Sequence, residues 1–456
     1  MGQHYHFIGI GGIGMGTLAT ILQKKGFQIS GSDLKLNDLT EHLQKNGAKI
    51  FNKHQASHVR GADYVVYSSA IHGDNPEMIE AHSLGLSILR RAELLAKLVN
   101  DEMGIAVAGA HGKTTTASMI SHLLIQAGLK PTTAVGAIIN SAQTYNANVG
   151  DGKYFVAEVD ESDGTFLYFT PYFSVITNID FEHVDYYQNW DNILDAYKKF
   201  IEHTKPSGHV IICGEDRYLQ NLTAQSSVKV IRYGFSLSFD VYATNIKTQG
   251  YSTKFDCSTK FRSLGPVTLH IPGKHNVLNA LACITVGLKL GIDFSMIQKS
   301  LKSFTGAKRR FQLKGEIDGV MIVDDYGHHP TEIKVTLEAA RSFGKKRIIT
   351  IFQPHRYSRT KFLLDEFVDV FKTCEYLILT DIYAASEKET AGVSTEQLFD
   401  KIHAQKSSPL FYLPKDKIIQ HLLTVLKPDD LILFLGAGDI YHLSDELVQE
   451  LSTISS

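Results

Sequence analysis

The sequence predicts an α/β protein of three consecutive domains. Three observations carry that expectation: the chain is long, a strand–helix alternation begins three times, and two of those beginnings run into glycine loops. At 456 residues with 43% apolar content, the chain exceeds what one hydrophobic core usually organises. Short β-rich runs separated by amphipathic stretches are the pattern of βαβ units around parallel sheets.

The first series, residues 1–99, reads HFIGI, a helix pattern to Gly26, FQISGSD, the helix NDLTEHLQKNG and DYVVYSSAI. A polar break at Val99-Asn100-Asp101-Glu102 then precedes GIAVAGA, which enters a second glycine loop and the helix TTTASMISHLLIQAG. That restart predicts a second domain over 100–304. It continues through YFVAEVDE, SVITNI and HVIIC, a β-rich stretch from about Val241 to His270, and the helix NVLNALACITVGLKLG. After the basic, hinge-like run GAKRRF a third series fills 305–456, with VMIVDDYG, RIITIFQPH, YLILTDIY and LILFLGAGDI as strands.

Lys plus Arg is 46 and Asp plus Glu is 48, for a net charge of −2. No global field attracts nucleic acid or an anionic membrane, so any anionic ligand has to be held locally. Cys213, Cys257, Cys283 and Cys374 form neither a CxxC pair nor the density of a disulfide scaffold, which fits a reducing compartment. The start MGQHYHFIGIGGIG lacks the basic leader and apolar core of a secretory signal, and no apolar run reaches the roughly 20 residues of a membrane helix. The expectation is a cytoplasmic protein with neither nucleic-acid nor membrane partners, a monomer or weak homodimer.

Gly9-Ile10-Gly11-Gly12-Ile13-Gly14 follows a strand and opens a helix, and Asp33 lies 19 residues after Gly14 at the end of the next strand. Glycines let backbone approach a diphosphate, and the helix N-terminus offers unpaired N–H groups. Asp33 suits the ribose of a nicotinamide dinucleotide and equally the hydroxyls of a UDP-sugar, and the motif does not choose between them.

In the second loop the glycine preceding Gly112 is Gly109, so the spacing is tighter than in the common G-x-x-x-x-G-K-[ST] loop. The chemistry survives: Gly109, Ala110, His111 and Gly112 bring backbone N–H groups to phosphate, Lys113 neutralises β and γ charge, Thr114 is placed to ligate Mg²⁺, and Thr115 follows. Downstream, AEVDESD puts Glu158, Asp160, Glu161 and Asp163 at a strand end, and TNIDFEHVD adds Asn178, Glu182, His183 and Asp185 at the next. Carboxylates with an imidazole at one sheet edge suit a Mg²⁺ bridging ATP to a second substrate.

Four blocks, HFIGIGGIGM with SGSD, AHGKTTT, GKHNVLNALA, and DDYGHHPTEI with FQPHRYSRT, resemble the Mur ligase family in order along the whole chain. The resemblance implies an N-terminal Rossmann-like UDP-binding domain, a central P-loop ATPase domain, and a C-terminal Rossmann-like domain that receives the amino acid. It implies an ADP-forming reaction with ATP and Mg²⁺ as cofactors, in which the lactyl carboxylate of UDP-N-acetylmuramate becomes an acyl phosphate and is attacked by the amine of L-alanine. A ligase adding a whole murein tripeptide to the same UDP-sugar shares the domains, and Tyr326-Gly327 favours alanine.

By the same resemblance, Lys113, His183 and Arg310 are the catalytic set, and Thr114, Glu158 and His183 hold the metal. ATP is met by Gly109 to Thr115, Asn178, His275, Asn276, Asn279, Arg310 and Asp325. The UDP-sugar is met by Gly11, Gly12, Ile13, Gly14, Ser32, Asp33, Ser68, Ser69, Arg90 and Arg91, and the amino acid by His329, Arg356 and Arg359, supported by His328 and His355. One departure is Ala110, where the family commonly has Thr.

Overall fold

The structure is a computed structural model, and it describes residues 2–68, 70–136, 147–385, 387–390, 392–405 and 407–455. The α/β class stands: three sheets follow one another along the chain.

The first sheet contains β1 (His4–Ile8), β2 (Gln28–Ser32), β3 (Lys49–Phe51), β4 (Tyr64–Tyr67) and β5 (Ser87–Arg90) in the order β3-β2-β1-β4-β5. Every pair is parallel. Strand order reverses at β1, so the loop leaving β1 opens at the topological switch point, where such sheets bind ligands. Alternating residues serve the two faces: Phe7 and Val66 enter the main core, whereas Ile8 and Val65 enter a smaller one with Met78 and Ala81.

In the second sheet β6 (Met103–Ala108), β7 (Thr132–Ala134), β8 (Ala147–Asn148), β9 (Tyr154–Glu158), β10 (Phe173–Ile176), β11 (His209–Cys213) and β12 (Lys229–Gly234) run in the order β12-β11-β10-β6-β9-β7-β8. All these pairs are parallel except β7 with β8. The strand leaving into the second glycine loop, β6, again lies where the order reverses. Its neighbours are buried on both faces, so Val107, Phe155 and Val175 belong to nearly continuous apolar runs.

Beyond β12 come β13 (Val241–Gln249), β14 (Ser252–Thr259) and β15 (Arg262–Leu269), then β16 (Gln312–Ile317), β17 (Val320–Asp325), β18 (Arg347–Phe352), β19 (Tyr376–Leu379), β20 (Leu410–Tyr412) and β21 (Asp430–Leu435). The third sheet has the order β16-β17-β21-β18-β19-β20, antiparallel only between β16 and β17. Successive residues of its central strands part between two cores, with Val323, Leu431 and Leu433 on one face and Ile322, Ile432 and Phe434 on the other.

By compactness the chain forms two units, one of residues 1–244, 256–267 and 278–304, the other of 245–255, 268–277 and 305–456. The first two sheets therefore share a unit, and the polar break at Val99–Glu102 is hydrogen-bonded to both. Asn100 donates its amide to Tyr168 O (3.0 Å) and accepts from Thr170 N (2.7 Å), Lys205 Nζ donates to Asn100 O (2.8 Å), and Lys25 pairs with Glu102 (2.6 Å). The polar residues that resemble a linker in sequence are polar because they bind across the junction. The four cysteines are buried and none forms a disulfide. Among the described residues, no helix is long and apolar enough to cross a membrane.

Candidate active site

Both glycine loops feed helices whose N-termini carry no capping side chain and no acidic residue in the first turn: Ile13–Lys24 after Gly12 and Lys113–Gln126 after Gly112. Other helices of the same unit are capped conventionally, as by Asn37, Asn189 and Asp216. Leaving these N–H groups uncapped destabilises an isolated helix end and prepares it for an anion.

At the first loop Ser32 O accepts from Gly9 N (2.8 Å) and Ile10 N (3.1 Å), and Asp33 Oδ2 accepts from Gly11 N (2.8 Å). Asp33, expected to meet a sugar, thus also shapes the loop. The structure brings Ser68 and Arg91 to it: a Cβ added to Gly9 would lie 3.3 Å from Ser68 Oγ, and one on Gly14 would lie 2.8 Å from Arg91 Nη1. Ile13 is 61% exposed. Arg90 turns aside, donating to Tyr67 Oη (3.2 Å). Ser32 is fully buried, its hydroxyl donates to Glu77, and it meets the loop through its carbonyl. Ser69 lies outside the described residues.

The second loop is gripped from β10. Gly109 (φ +124°) passes so close that a Cβ would stand 2.2 Å from Thr177 Oγ1 and 2.9 Å from Asn178 O. Asn178 clasps His111 in both directions, accepting from its N–H and donating to its carbonyl, each at 2.9 Å, and Asp180 Oδ2 lies 2.8 Å from His111 Nε2. Asn178, expected to touch ATP, is used by the loop itself. Gly112 (φ +81°) turns against Asn279, whose Oδ1 accepts from Thr116 Oγ1 (3.1 Å).

Lys113 folds back onto its own loop and an acidic partner, donating to Gly109 O (2.6 Å), Ala110 O (3.2 Å) and Glu161 Oε1 (2.8 Å). Burial works against its charge, but Glu161, with Asp160 and Glu158 behind it, holds Lys113 above the ordinary lysine value. Burial likewise opposes the Glu161 carboxylate, while the charge of Lys113 and the hydrogen bond and charge of His183 outweigh it and hold Glu161 at about 2. Thr114 Oγ1 donates to Glu158 Oε1 (2.8 Å), and Glu158 Oε2 accepts from Gly136 N (2.9 Å).

The three expected metal ligands therefore divide. Thr114 and Glu158 meet directly, whereas His183 (φ +57°) faces Glu161 at 3.6 Å and forms, with Asp160 and Glu161, a set whose ligand atoms all lie within 4.8 Å of one another. A non-glycine residue in the left-handed region stores strain, which gathers at functional sites. The sequence places Asp160 and Glu161 at this edge with other carboxylates, and spacing alone cannot tell which carboxylates of DESD point inward.

In the second unit, Arg309 and Arg310 take different partners. Arg309 is held by Asp324 (3.3 Å) and Gly436 O (2.6 Å), between the rings of Tyr326 and Tyr441, while Arg310 lies 3.7 Å from Glu332 and over Tyr326. Asp325, expected at the ATP ribose, is buried, and its oxygens accept from Phe311 N (2.7 Å), Gly327 N (2.7 Å) and Thr336 Oγ1 (3.3 Å). His329, expected at the amino acid, is buried and caps the helix Pro330–Arg341 by accepting from Thr331 N (3.3 Å). Asn276 donates to Pro272 O (2.6 Å) from inside the helix Lys274–Lys289 instead of capping it.

Burial lowers His275 to about 4, helped by the charge of Arg310. His355 stands at about 3, lowered by burial and then by the charges of His328, Arg359, Arg356 and Arg309. It consequently offers a neutral ring nitrogen to Arg359 Nη1 at 3.2 Å. Arg356 sits at φ +70° where the helix Tyr357–Phe362 begins. Two guanidiniums beside a neutral imidazole suit a small carboxylate ligand.

Three family models match successive parts of the chain: Mur ligase family, catalytic domain, over residues 4–103; Mur ligase middle domain over 107–287; and Mur ligase, glutamate ligase domain, over 309–438. Curated relatives named UDP-N-acetylmuramate–L-alanine ligase include one from Geotalea daltonii, 45% identical over 98% of both chains, and one from Pelobacter propionicus, 44% identical over 99% of both. Among solved structures, the UDP-N-acetylmuramate–alanine ligase of Thermotoga maritima has a TM-score of 0.82 at 27% identity, covering 99% of both chains. A murein peptide ligase from Psychrobacter arcticus shares the fold, with a TM-score of 0.72 at 24% identity over the full length of both.

Proposed function

The chain belongs to the Mur ligase family, and from that premise we propose that it joins L-alanine to the lactyl carboxylate of UDP-N-acetylmuramate at the expense of ATP, a step in building peptidoglycan precursors. The observation that carries the reading is the second loop, where a buried lysine is held ready by a carboxylate beside a threonine–glutamate pair. Full-length relatives of that activity supply the substrates.

A free carboxylate is a poor electrophile, so ATP transfers its γ-phosphoryl group to a lactyl oxygen, releasing ADP and forming an acyl phosphate. The amine of L-alanine attacks the acyl carbon, the amide forms as the C–O bond to phosphate breaks, and the amine gives up a proton. Lys113 neutralises phosphate charge, exchanging Glu161 for phosphate oxygens, and Arg310 is the further cation that the family resemblance assigns to phosphoryl transfer. Arg356 and Arg359 hold the alanine carboxylate. Positioning and electrostatics perform this chemistry without a protein nucleophile.

The donor set suits Mg²⁺: hydroxyl and carboxylate oxygens of Thr114 and Glu158 on one side, Asp160, Glu161 and His183 on the other. A bound Mg²⁺ supplies neutralisation of the transferring phosphate. Gly11 to Gly14, Asp33, Ser68 and Arg91 receive the diphosphate and sugar of the UDP carrier.

The test is phosphate release with ATP and UDP-N-acetylmuramate, which is expected to require L-alanine. Equal turnover without an amino acid would overturn the ligase reading, and turnover with the murein tripeptide in place of alanine would transfer it to the recycling branch of the family.

A further inference from the structure

Behind the first loop lies a polar cluster that the reaction above does not use. Glu77, near the start of the helix Pro76–Ser83, is completely buried. Its Oε1 accepts from Gln55 N (3.2 Å) and faces His58 Nδ1 (2.8 Å); its Oε2 accepts from the Ser32 hydroxyl and faces His54 Nδ1 (3.4 Å) and His6 Nε2 (3.5 Å). His6, itself fully buried, reaches Ser30 Oγ through Nδ1 (2.8 Å), and His4 Nε2 meets the same hydroxyl at 2.8 Å. Burial opposes ionisation of Glu77, yet its partners, His6 and Ser32 foremost, hold it at about 2. Burial lowers His6.

A buried carboxylate ringed by donors is a costly way to gain stability, since apolar side chains of similar volume commonly serve as well or better. What directional hydrogen bonds supply is orientation, and here the oriented groups belong to the glycine loop. Ser32 gives its hydroxyl to Glu77 while its carbonyl receives the N–H groups of Gly9 and Ile10. Asp33, the next residue, receives Gly11 N and donates its own N–H to Phe51 O (3.0 Å), and the Phe51 ring stacks on His58 with centroids 3.7 Å apart. One carboxylate thus holds the end of β2 from both sides, through Ser32 and through the segment after β3, and the end of β2 holds the loop.

We propose that Glu77 is a positioning residue for the UDP-sugar, fixing through Ser32 and Asp33 the direction in which the Gly9–Gly12 backbone presents its N–H groups. The proposal rests on the ligase reading, in which this loop carries the diphosphate. A misplacement of about 1 Å can cost orders of magnitude in binding or rate, so the carboxylate acts on the substrate without touching it.

The experiment is steady-state kinetics of the full-length Glu77→Gln and Ser32→Ala proteins, with UDP-N-acetylmuramate, ATP and L-alanine varied in turn. Glu77→Gln is expected to raise KM for the UDP-sugar about tenfold, with kcat and the other two KM values within about twofold. Ser32→Ala moves in the same direction by less, and decides the matter if Glu77→Gln fails to fold. An unchanged KM for the UDP-sugar would overturn the proposal, as would a rise shared by all three substrates or a fall in kcat alone, which mark general loss of structure. Absence of alanine-dependent turnover in the parent protein defeats the ligase reading instead, and UDP binding by calorimetry to parent and variants then still reports on the loop.

Discussion

The two glycine loops occupy equivalent places, each leaving a parallel strand where strand order reverses, yet they are held in opposite ways. The first is shaped from behind, by the Ser32 carbonyl and Asp33 with Glu77 supporting both, and its nearby cation, Arg91, comes from the start of the helix Arg91–Asn100. The second holds its cation within itself: Lys113 is bound to two loop carbonyls and to Glu161. A loop that only carries a substrate keeps its supports when the ligand arrives. Under the proposed reading, the loop where phosphate is transferred exchanges the partners of Lys113, which is one of its supports beside Asn178 and Asp180.

The most severe way to break this contrast is Lys113→Ala. Loss of a preorganised donor at a transferring phosphate is expected to lower kcat/KM on the order of 10³-fold. Because the first loop has separate supports, calorimetric binding of UDP-N-acetylmuramate should be retained. If UDP-sugar binding is lost as well, the loops are not independent and the comparison fails.

Next in size is Glu161→Gln, which leaves Lys113 buried beside an amide. Breaking a buried pair from one side is expected to lower stability in urea by about 3 kcal/mol, partly offset by the carbonyls of Gly109 and Ala110. ATP should stabilise this variant more than the parent, since phosphate takes over the vacated role. Equal stabilisation of both proteins would show that Lys113 does not change partners.

A comparable effect on stability separates the loops by their glycines. A Cβ at Gly109 meets the Asn178 backbone and sits at φ +124°, so Gly109→Ala should destabilise by about 2–4 kcal/mol. At Gly11 the nearest atom is the tip of Asp33, 2.9 Å away, with Lys35 O at 3.1 Å. That side chain can yield, so Gly11→Ala should cost about 1 kcal/mol in stability and act mainly on KM for the UDP-sugar. Equal losses in thermal unfolding would mean that both loops are equally constrained.

Much of this was legible in sequence because periodicity and glycine spacing are local signals. HFIGIGGIG and GIAVAGAHGKTTT sit at strand-to-helix junctions as expected. Long-range polar contacts were not legible. Glu77 gathers His6, Ser32, His54 and His58, residues scattered from position 6 to position 58 and matching no motif. Ser32 was expected to meet a ligand from its place at a strand end, and Asp325 and His329 from the family's motif, and each makes internal hydrogen bonds, to which sequence assigns the same residue types. Asn100 was read only as part of a polar break for the same reason.

The smallest effect is in acid, and it sharpens the comparison because each loop rests on its own buried carboxylate. Glu77 and Glu161 both stand at about 2 against an ordinary 4.5. A folded-state value below the unfolded one gives stability that is present above about pH 4.5 and lost as pH falls towards 2. The buried His6 and the partly buried His275 and His355 are lowered from 6.5, so the unfolded chain takes up their protons first and stability begins to decline below about pH 6.5. The urea midpoint should therefore fall in two stages, one set by histidines and one by carboxylates. Glu77→Gln and Glu161→Gln should each shrink the lower stage and spare the upper one. If neither variant alters the decline below pH 4.5, the carboxylates are not what holds the loops.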